Sequence, residues 1–492
     1  MHNRAAVIAA ATLLGVALAL VPHPVMAADA ETLFPLHVSG GSIVGPAGQE
    51  VILRGVNSNG LVQYAPSRPE AVPLTAASVH EMAAMGFDFL RLPLSLSALE
   101  PEPGQISRAY LGKIAQILGW AQASGIWVLL DLHQDRYAAG LFPGESDGMP
   151  PWMVDTLGLP KTPTLLGVTN PAVQAAFTAF WSNRTVDGTY LWSAYIDGLT
   201  ALATAFGRTP ALAGYDVMNE PNPGFYVGSD FVTRYLLPFY ARAVQAIRRL
   251  DPTHPIFLEP DIVSMATLDL AWPQRAFLRQ GIVFEPHEYL PNGSFLQAHG
   301  VATKAVTAQL LARMYEASNR AAAALSLPWF VGEFGAATTA TGNAEIQTEV
   351  ELQDQYGVGS ALWLWQIRPG TYPWQLVEPD GGLIPDRARL GLVASPHPLA
   401  VGGRLVAMRY APVGSFSLQM VAAAAAGPTV VLASSLTYPH GIEVKADAPW
   451  NVTAQTEAVP GATLTLWRLT LKPTTGPVTL TILPRGAATS TP

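Results

Sequence analysis

Eight short apolar runs, separated by longer segments of helical periodicity, constrain this chain more than any other feature. The runs are VILRGVN (51–57), FDFLRLP (87–93), IWVLLDLH (126–133), LAGYDVMNE (212–220), HPIFLEP (254–260), GIVFEPHEY (281–289), LPWFVGEFG (327–335) and GSALWLWQ (359–366). Between them lie helix-period stretches such as LTAASVHEMAAMG (74–86) and YLLPFYARAVQAIRRL (235–250). Near-continuous apolar strands alternating with helices belong to a parallel sheet covered on both faces. Eight such units over this length predict an α/β fold, a (β/α)8 TIM barrel, over residues 29–396. An open doubly wound sheet is the alternative, but the first turn, RGVNSNG, is not the Gly-rich phosphate loop that fold usually carries.

The texture changes after the Pro/Gly-rich SPHPLAVGG. SFSLQMV, TVVLASS, ATLTLWRLTL and VTLTIL alternate in polarity and are separated by Gly and Pro. They predict a C-terminal antiparallel β-sandwich over 397–492, with a frayed Thr/Ser/Pro tail. At the other end, Arg4 precedes an apolar run from Ala5 to Val21 and the small-residue site Val25-Met26-Ala27. This predicts a secretory signal over residues 1–28 and a secreted mature protein, extracellular or periplasmic. An uncleaved anchor is the competing reading, and the run is short for a bilayer span. The mature protein is expected to lack an integral membrane segment and to act as a monomer.

Composition removes several classes of function. With no cysteine in the chain, disulfides, thiolate catalysis and cysteine-bound zinc are excluded. A net charge of −8 without any basic run gives no footprint for nucleic acid. No Gly-x-Ser-x-Gly elbow provides a serine nucleophile. His80 and His254 fall at helix and loop positions and read as structural. NRT (183–185), NGS (292–294) and NVT (451–453) match the N-glycosylation pattern.

In a TIM barrel, the C-terminal ends of the strands build the active site. Those ends supply Arg91, His133, Asp135, Asn219, Glu220, His287, Tyr289 and Glu333, with Trp363 and Trp365 on the last run. Polar groups converging at one mouth are costly to desolvate without a use. Glu220 ends run four and Glu333 ends run seven, so both would face the same opening. A pair of carboxyls across a small site suits glycoside hydrolysis, one protonated to assist the leaving oxygen and one ionised to attack. His133, Asp135 and His287 admit a metal-ligand reading, but the carboxyl pair explains the site without one, and neither metal nor cofactor is expected.

GYDVMNEP and FVGEFG, joined with LRLP and HEY in that order, resemble the acid/base and nucleophile strands of the family-5 glycoside hydrolases, a retaining (β/α)8 group. LLDLHQDRYA, DGMPPWMVDTLGLP and HEYLPN narrow the resemblance to the endoglycoceramidase branch, over residues 45–480. The resemblance implies a secreted enzyme that cuts the β-glycosidic bond between glycan and ceramide, acting on a glycolipid at a membrane or micelle surface. By the same resemblance Glu220 is the acid/base and Glu333 the nucleophile. Asn219 would bond the sugar 2-hydroxyl, and Arg91 and Tyr289 would keep Glu333 ionised and oriented. His133 and His287 would line the site, Asp135 would contact sugar hydroxyls, and Trp363, favoured over Trp365, would be the sugar platform.

The loop NSNGLVQYAPSRPE lacks the lysine present in some members of that branch, and AAGLFPGESDGMPPW is short. Alternative substrates are simple glycolipids (glucosylceramide, galactosylceramide types, steryl glucosides) or a soluble β-glucan. Leu141, Phe142, Met149, Trp152, Met153, Val154, Phe225, Tyr226, Leu290 and Phe295 sit on loops over the mouth, either lining a greasy groove for a lipid or packing down on neighbouring helices. In the sandwich, Trp450, Trp467 and Tyr438 are either binding platforms or core.

Overall fold

The computed structural model describes residues 33–62, 72–137, 141, 147–160, 167–290, 304–367, 374–378, 381–411 and 414–486. The predicted signal segment, Phe142, Phe295, the NGS acceptor and the Thr/Ser/Pro tail lie outside the described residues. Among the described residues no helix is long and apolar enough to cross a membrane.

Eight strands form one parallel sheet: β1 (Arg54–Asn57), β2 (Phe89–Leu94), β3 (Trp127–Leu132), β4 (Leu212–Asp216), β5 (Ile256–Leu258), β6 (Ile282–Phe284), β7 (Phe330–Phe334) and β8 (Gly359–Leu362). Their order is β6-β5-β4-β3-β2-β1-β8-β7. The sheet closes on itself because single parallel bridges, Phe284 to Trp329 and Glu288 to Phe334, join the β6 and β7 segments. Each predicted apolar run contributes one strand, and almost every strand residue is buried, as a sheet sealed by helices outside and side chains inside demands.

Local chemistry sets where the helices start and stop. Thr75, Ser107, Asn170, Thr339 and Asp386 each accept a hydrogen bond from the first turn of the helix they precede. Gly86, Gly125 and Gly357 end three of these helices in the left-handed region that glycine tolerates. The chain therefore turns over at the strand ends in defined loops, and those loops carry the site.

Two antiparallel sheets lie beyond the barrel. One holds residues 403–410, 416–422, 476–484 and 442–446. The other runs 37–39, 42–44, 50–51, 397–401, 430–434, 462–471 and 450–459. This second sheet thus recruits three short strands from before the barrel, Val51 pairing with Ala400. The run VILRGVN is divided accordingly: its first residue belongs to this sheet and its last four to β1. Periodicity alone could not show that division, because both halves are buried. Tyr438, weighed as a binding platform, is fully buried, while Trp467 and Trp450 are half-buried against the core. Polar contacts tie the sandwich to the barrel floor: Asp354 pairs with Arg54 at 2.9 Å and accepts from Tyr410 N at 2.7 Å. Nearby, His397 Nε2 meets Asp88 at 3.0 Å.

Candidate active site

The C-terminal ends of the strands enclose a cavity of about 360 Å³, within the range of about 300–1,000 Å³ typical of small-molecule sites. His133, Asp135, Asn219, Glu220, Tyr289, Glu333 and Trp363 line it, together with Leu290, Gly335, Ala336, Ala337, Glu345 and Trp374. Arg91 and His287 complete the predicted set from below. Trp365, the second tryptophan considered, points into the core and is fully buried.

Arg91 is the organising charge. Its guanidinium is wholly buried and meets five carboxylates: Asp131 at 3.1 Å, Asp216 at 2.6 Å, Glu259 at 3.0 Å, Glu285 at 3.3 Å and Glu333 at 2.7 Å. Burial alone would weaken the cation, but Asp131, Asp216 and the others outweigh it and hold the arginine well above its ordinary pKa. Burial, reinforced by neighbouring acids, pushes Asp216 and Glu285 well above the usual carboxylate range. Both shifts favour the protonated form, which lessens the excess of buried negative charge around the one guanidinium. Gly332 makes room for this cluster: a Cβ there would lie 2.4 Å from Glu285 Oε1.

Glu333 is gripped at both oxygens. Arg91 Nη1 donates to Oε1 at 2.7 Å and the Tyr289 hydroxyl donates to Oε2 at 3.0 Å. Burial raises the Glu333 pKa, with His287 and Arg91 pulling against it and Glu220 adding to it. The two donors suit the ionised carboxylate, which only accepts.

Glu220 is the more exposed acid, its side chain 32% accessible. Its backbone has φ +40°, a left-handed value that costs a non-glycine residue about 1–3 kcal/mol. Three contacts fix it there. Glu220 N donates to Glu259 Oε2 at 2.8 Å, and Gln134 Nε2 donates to the carbonyls of Asn219 and Glu220 at 2.8 and 3.1 Å. His287 Nδ1 lies 3.0 Å from Glu220 Oε1 and 3.7 Å from Glu333 Oε2. One oxygen of each glutamate and one His287 nitrogen fall within 4.8 Å of one another. The imidazole therefore bridges the two carboxylates. Burial opposes its cationic form, but Glu259, Glu333 and the bond to Glu220 outweigh that and raise its pKa well above the ordinary range.

The remaining predicted residues form the walls. The Asn219 side chain is oriented by Arg91, which donates to its oxygen at 3.0 Å, and by Gln134 O, which accepts from its amide at 2.9 Å. His133 hands Nδ1 to Asp131 at 2.8 Å and stacks on Trp363 with ring centres 5.6 Å apart. Asp135 is 40% exposed at the rim, 3.4 Å from His133 Nε2. Among the described residues, the groups close enough to share an ion are Glu220–His287–Glu333 and Asp216–Glu259–Glu285, not the His133, Asp135 and His287 considered from sequence.

Sequence reasoning missed Asp131, Gln134, Asp216, Glu259, Glu285, Glu345 and Trp374. Four of these carried a signal: Asp131, Asp216, Glu259 and Glu285 are acids within or just after otherwise apolar strands, where an unpaired charge is untenable. Trp374 sits on a segment with no periodic pattern. Of the two readings open for the apolar loop residues, packing down holds for most of those described. Leu141, Met149 and Met153 pack into the core, Trp152 donates to Glu100 O at 3.2 Å, and Tyr226 stacks on Tyr235 at 4.0 Å. Leu290 reaches the cavity, and Phe225 is 53% exposed.

A closed (β/α)8 barrel with paired glutamates at the ends of β4 and β7 defines a glycoside hydrolase. The chain belongs to the cellulase family, glycosyl hydrolase family 5, whose model matches residues 44–368. It is similar to Endoglycoceramidase I of Rhodococcus hoagii (strain 103S), with 26% identity over 478 residues, 92% of this chain and 89% of the relative. Endoglycoceramidase of Cyanea nozakii is 27% identical over 47% of this chain and 52% of its own length. Among solved structures, endo-glycoceramidase II from Rhodococcus sp. in its ganglioside GM3 complex superposes with TM-score 0.72 at 25% identity, over 91% of this chain and all of that one. An endogalactoceramidase gives TM-score 0.73 at 25% identity, over 92% of this chain and all of that one.

Proposed function

We propose that this chain is a retaining endo-β-glycosidase that hydrolyses the bond between the glycan and the ceramide of glycosphingolipids. The observation that carries the mechanism is the approach of Glu220 and Glu333 oxygens within 4.8 Å across one cavity. Retaining enzymes hold their carboxyls about 5–5.5 Å apart, whereas inverting enzymes leave about 6.5–9.5 Å for a water. Glu333, ionised under its two donors, attacks the anomeric carbon. As the glycosidic C–O bond breaks, Glu220 gives its proton to the departing ceramide oxygen. Glu220 then takes a proton from water, whose oxygen attacks the same carbon and releases Glu333. His133 and Trp363 form an aromatic wall for the sugar, Asn219 presents its amide to the 2-hydroxyl, and Asp135 binds hydroxyls at the rim. The ceramide assignment is supported by the likeness to endoglycoceramidases over nearly the whole chain.

The test is product analysis from a ganglioside, glucosylceramide and a soluble β-glucan. Release of intact glycan and ceramide, with the β-anomer formed first, is expected. Glu333→Gln and Glu220→Gln should each abolish release. Near wild-type turnover in either variant, or first formation of the α-anomer, overturns the mechanism, and cleavage of the glucan alone overturns the substrate. We further propose export through the N-terminal segment, tested by the mass of the protein recovered outside the cell. A product that begins at Met1 refutes it.

A further inference from the structure

A short helix, Arg387–Val393, follows the last barrel strand and leads into the sandwich. Asp386 caps it, accepting from Arg389 N at 3.0 Å. The Arg389 side chain is fully buried, yet it faces no catalytic group. It faces carbonyls. Nη2 donates to Ala336 O at 2.7 Å and to Trp374 O at 3.4 Å, while Nη1 donates to Ala337 O at 3.4 Å and Asn343 Oδ1 at 3.3 Å.

Ala336, Ala337 and Trp374 are all cavity-lining residues, and they come from two different loops, after β7 and after β8. Trp374 in turn packs on Tyr289 with ring centres 5.8 Å apart, and Tyr289 holds Glu333. On its other side the helix is held by the sandwich. Thr437 Oγ1 lies 3.1 Å from Gly391 O and 2.8 Å from Ala394 O, sharing its proton between them. Gly391 permits this approach, since a Cβ there would stand 3.3 Å from Leu436 O. Burial brings the Arg389 pKa down to about 10, with Asp386 and Glu345 opposing the fall, so the fork stays charged at neutral pH.

We propose that Arg389 is a positioning residue that fixes two walls of the active-site cavity, and that the β-sandwich acts on catalysis through it. A planar fork with several donors can bind carbonyls of two separate loops at once, which a lysine ammonium cannot do with the same geometry. The sandwich is then part of the active-site frame. The inference rests on the reading of Glu333 as nucleophile.

The experiment pairs a trapping reaction with a measurement independent of turnover. Labelling of Glu333 by an activated 2-deoxy-2-fluoro-β-cellobioside is timed in wild type, Arg389→Met, Arg389→Lys and Thr437→Val. Amide hydrogen exchange of segments 335–338 and 374–378 is followed in the same proteins, with a thermal melt for each. Misplacement of reacting groups by an ångström costs up to about a hundredfold, so Arg389→Met is expected to label roughly tenfold or more slowly. Exchange should rise in those two segments alone. Arg389→Lys should recover part of the rate, and Thr437→Val should move both readouts the same way by a smaller factor. Wild-type labelling and exchange in folded Arg389→Met overturns the proposal, as does an exchange increase spread over the whole barrel. If Arg389→Met does not fold, unchanged readouts in both other variants overturn it. Failure of wild type to label at Glu333 refutes the nucleophile assignment, while the exchange pattern still judges the clamp.

Discussion

Replacing Tyr289 by phenylalanine isolates one hydrogen bond in the site. The ring and its packing on Trp374 remain, and only the donor 3.0 Å from Glu333 Oε2 is lost. Burial already pushes the Glu333 carboxyl upward, against the pull of His287 and Arg91. A hydrogen bond to a charged group contributes about 1.5–3 kcal/mol. It favours the ionised form, so its removal favours the protonated form and moves the acidic limb of the rate profile to higher pH. At about 1.4 kcal/mol per tenfold, activity below that limb should fall roughly 10- to 150-fold. Above the limb, where Glu333 is ionised in both proteins, the loss should be smaller and should reflect orientation alone. The assay is kcat/KM across pH, which reports the titration of free enzyme. A loss of equal size at every pH, or a limb that moves to lower pH, refutes the argument that Tyr289 keeps Glu333 charged.

Gln134→Ala removes the side chain that holds both the Asn219 and Glu220 carbonyls. With the strained φ of Glu220 less constrained, kcat should fall about tenfold or more with little change in KM, measured by steady-state kinetics. Gly332→Ala places a Cβ 2.4 Å from Glu285 Oε1 in the barrel core; thermal melts should show a clear loss of stability or no folded protein. Burial pushes the Glu81 carboxyl up to about 8, and its Oε1 has no hydrogen-bond partner among the described residues. Because its folded pKa is raised, its contribution to stability is complete below the unfolded value and is lost as pH rises through about 8. Glu81→Gln should therefore match wild type in melts at low pH and exceed it in alkali.

Much of the barrel was legible because each strand is sealed on both faces. That makes the runs apolar throughout and leaves polar residues only where a strand meets the mouth. The same reasoning brought Glu220, Glu333, Arg91 and Tyr289 together. It failed to see the carboxylates beneath them, since Asp216 and Glu285 were passed over as parts of apolar strands instead of being read as charges in need of a cation. Arg389 was invisible for a different reason: it lies in a short helix of ordinary composition, and its role comes entirely from carbonyls of residues remote in sequence. The loops were ambiguous by composition. Met149 and Met153 are apolar because they fill the core beneath the loop, not because they face a ligand.

The pairing of Val51 with Ala400 has a consequence for how the chain is made. Synthesis runs from one end, and the strands at 37–51 emerge long before 397–401, 430–434 and 462–471 exist. Until then their apolar residues and unpaired backbone wait, and closing so long a loop slows the late step of folding. A stop codon before residue 397 would leave that edge permanently open, a template for aggregation. The segment before the barrel is thus sealed only by a strand made after it, and the barrel is closed in sequence between the two.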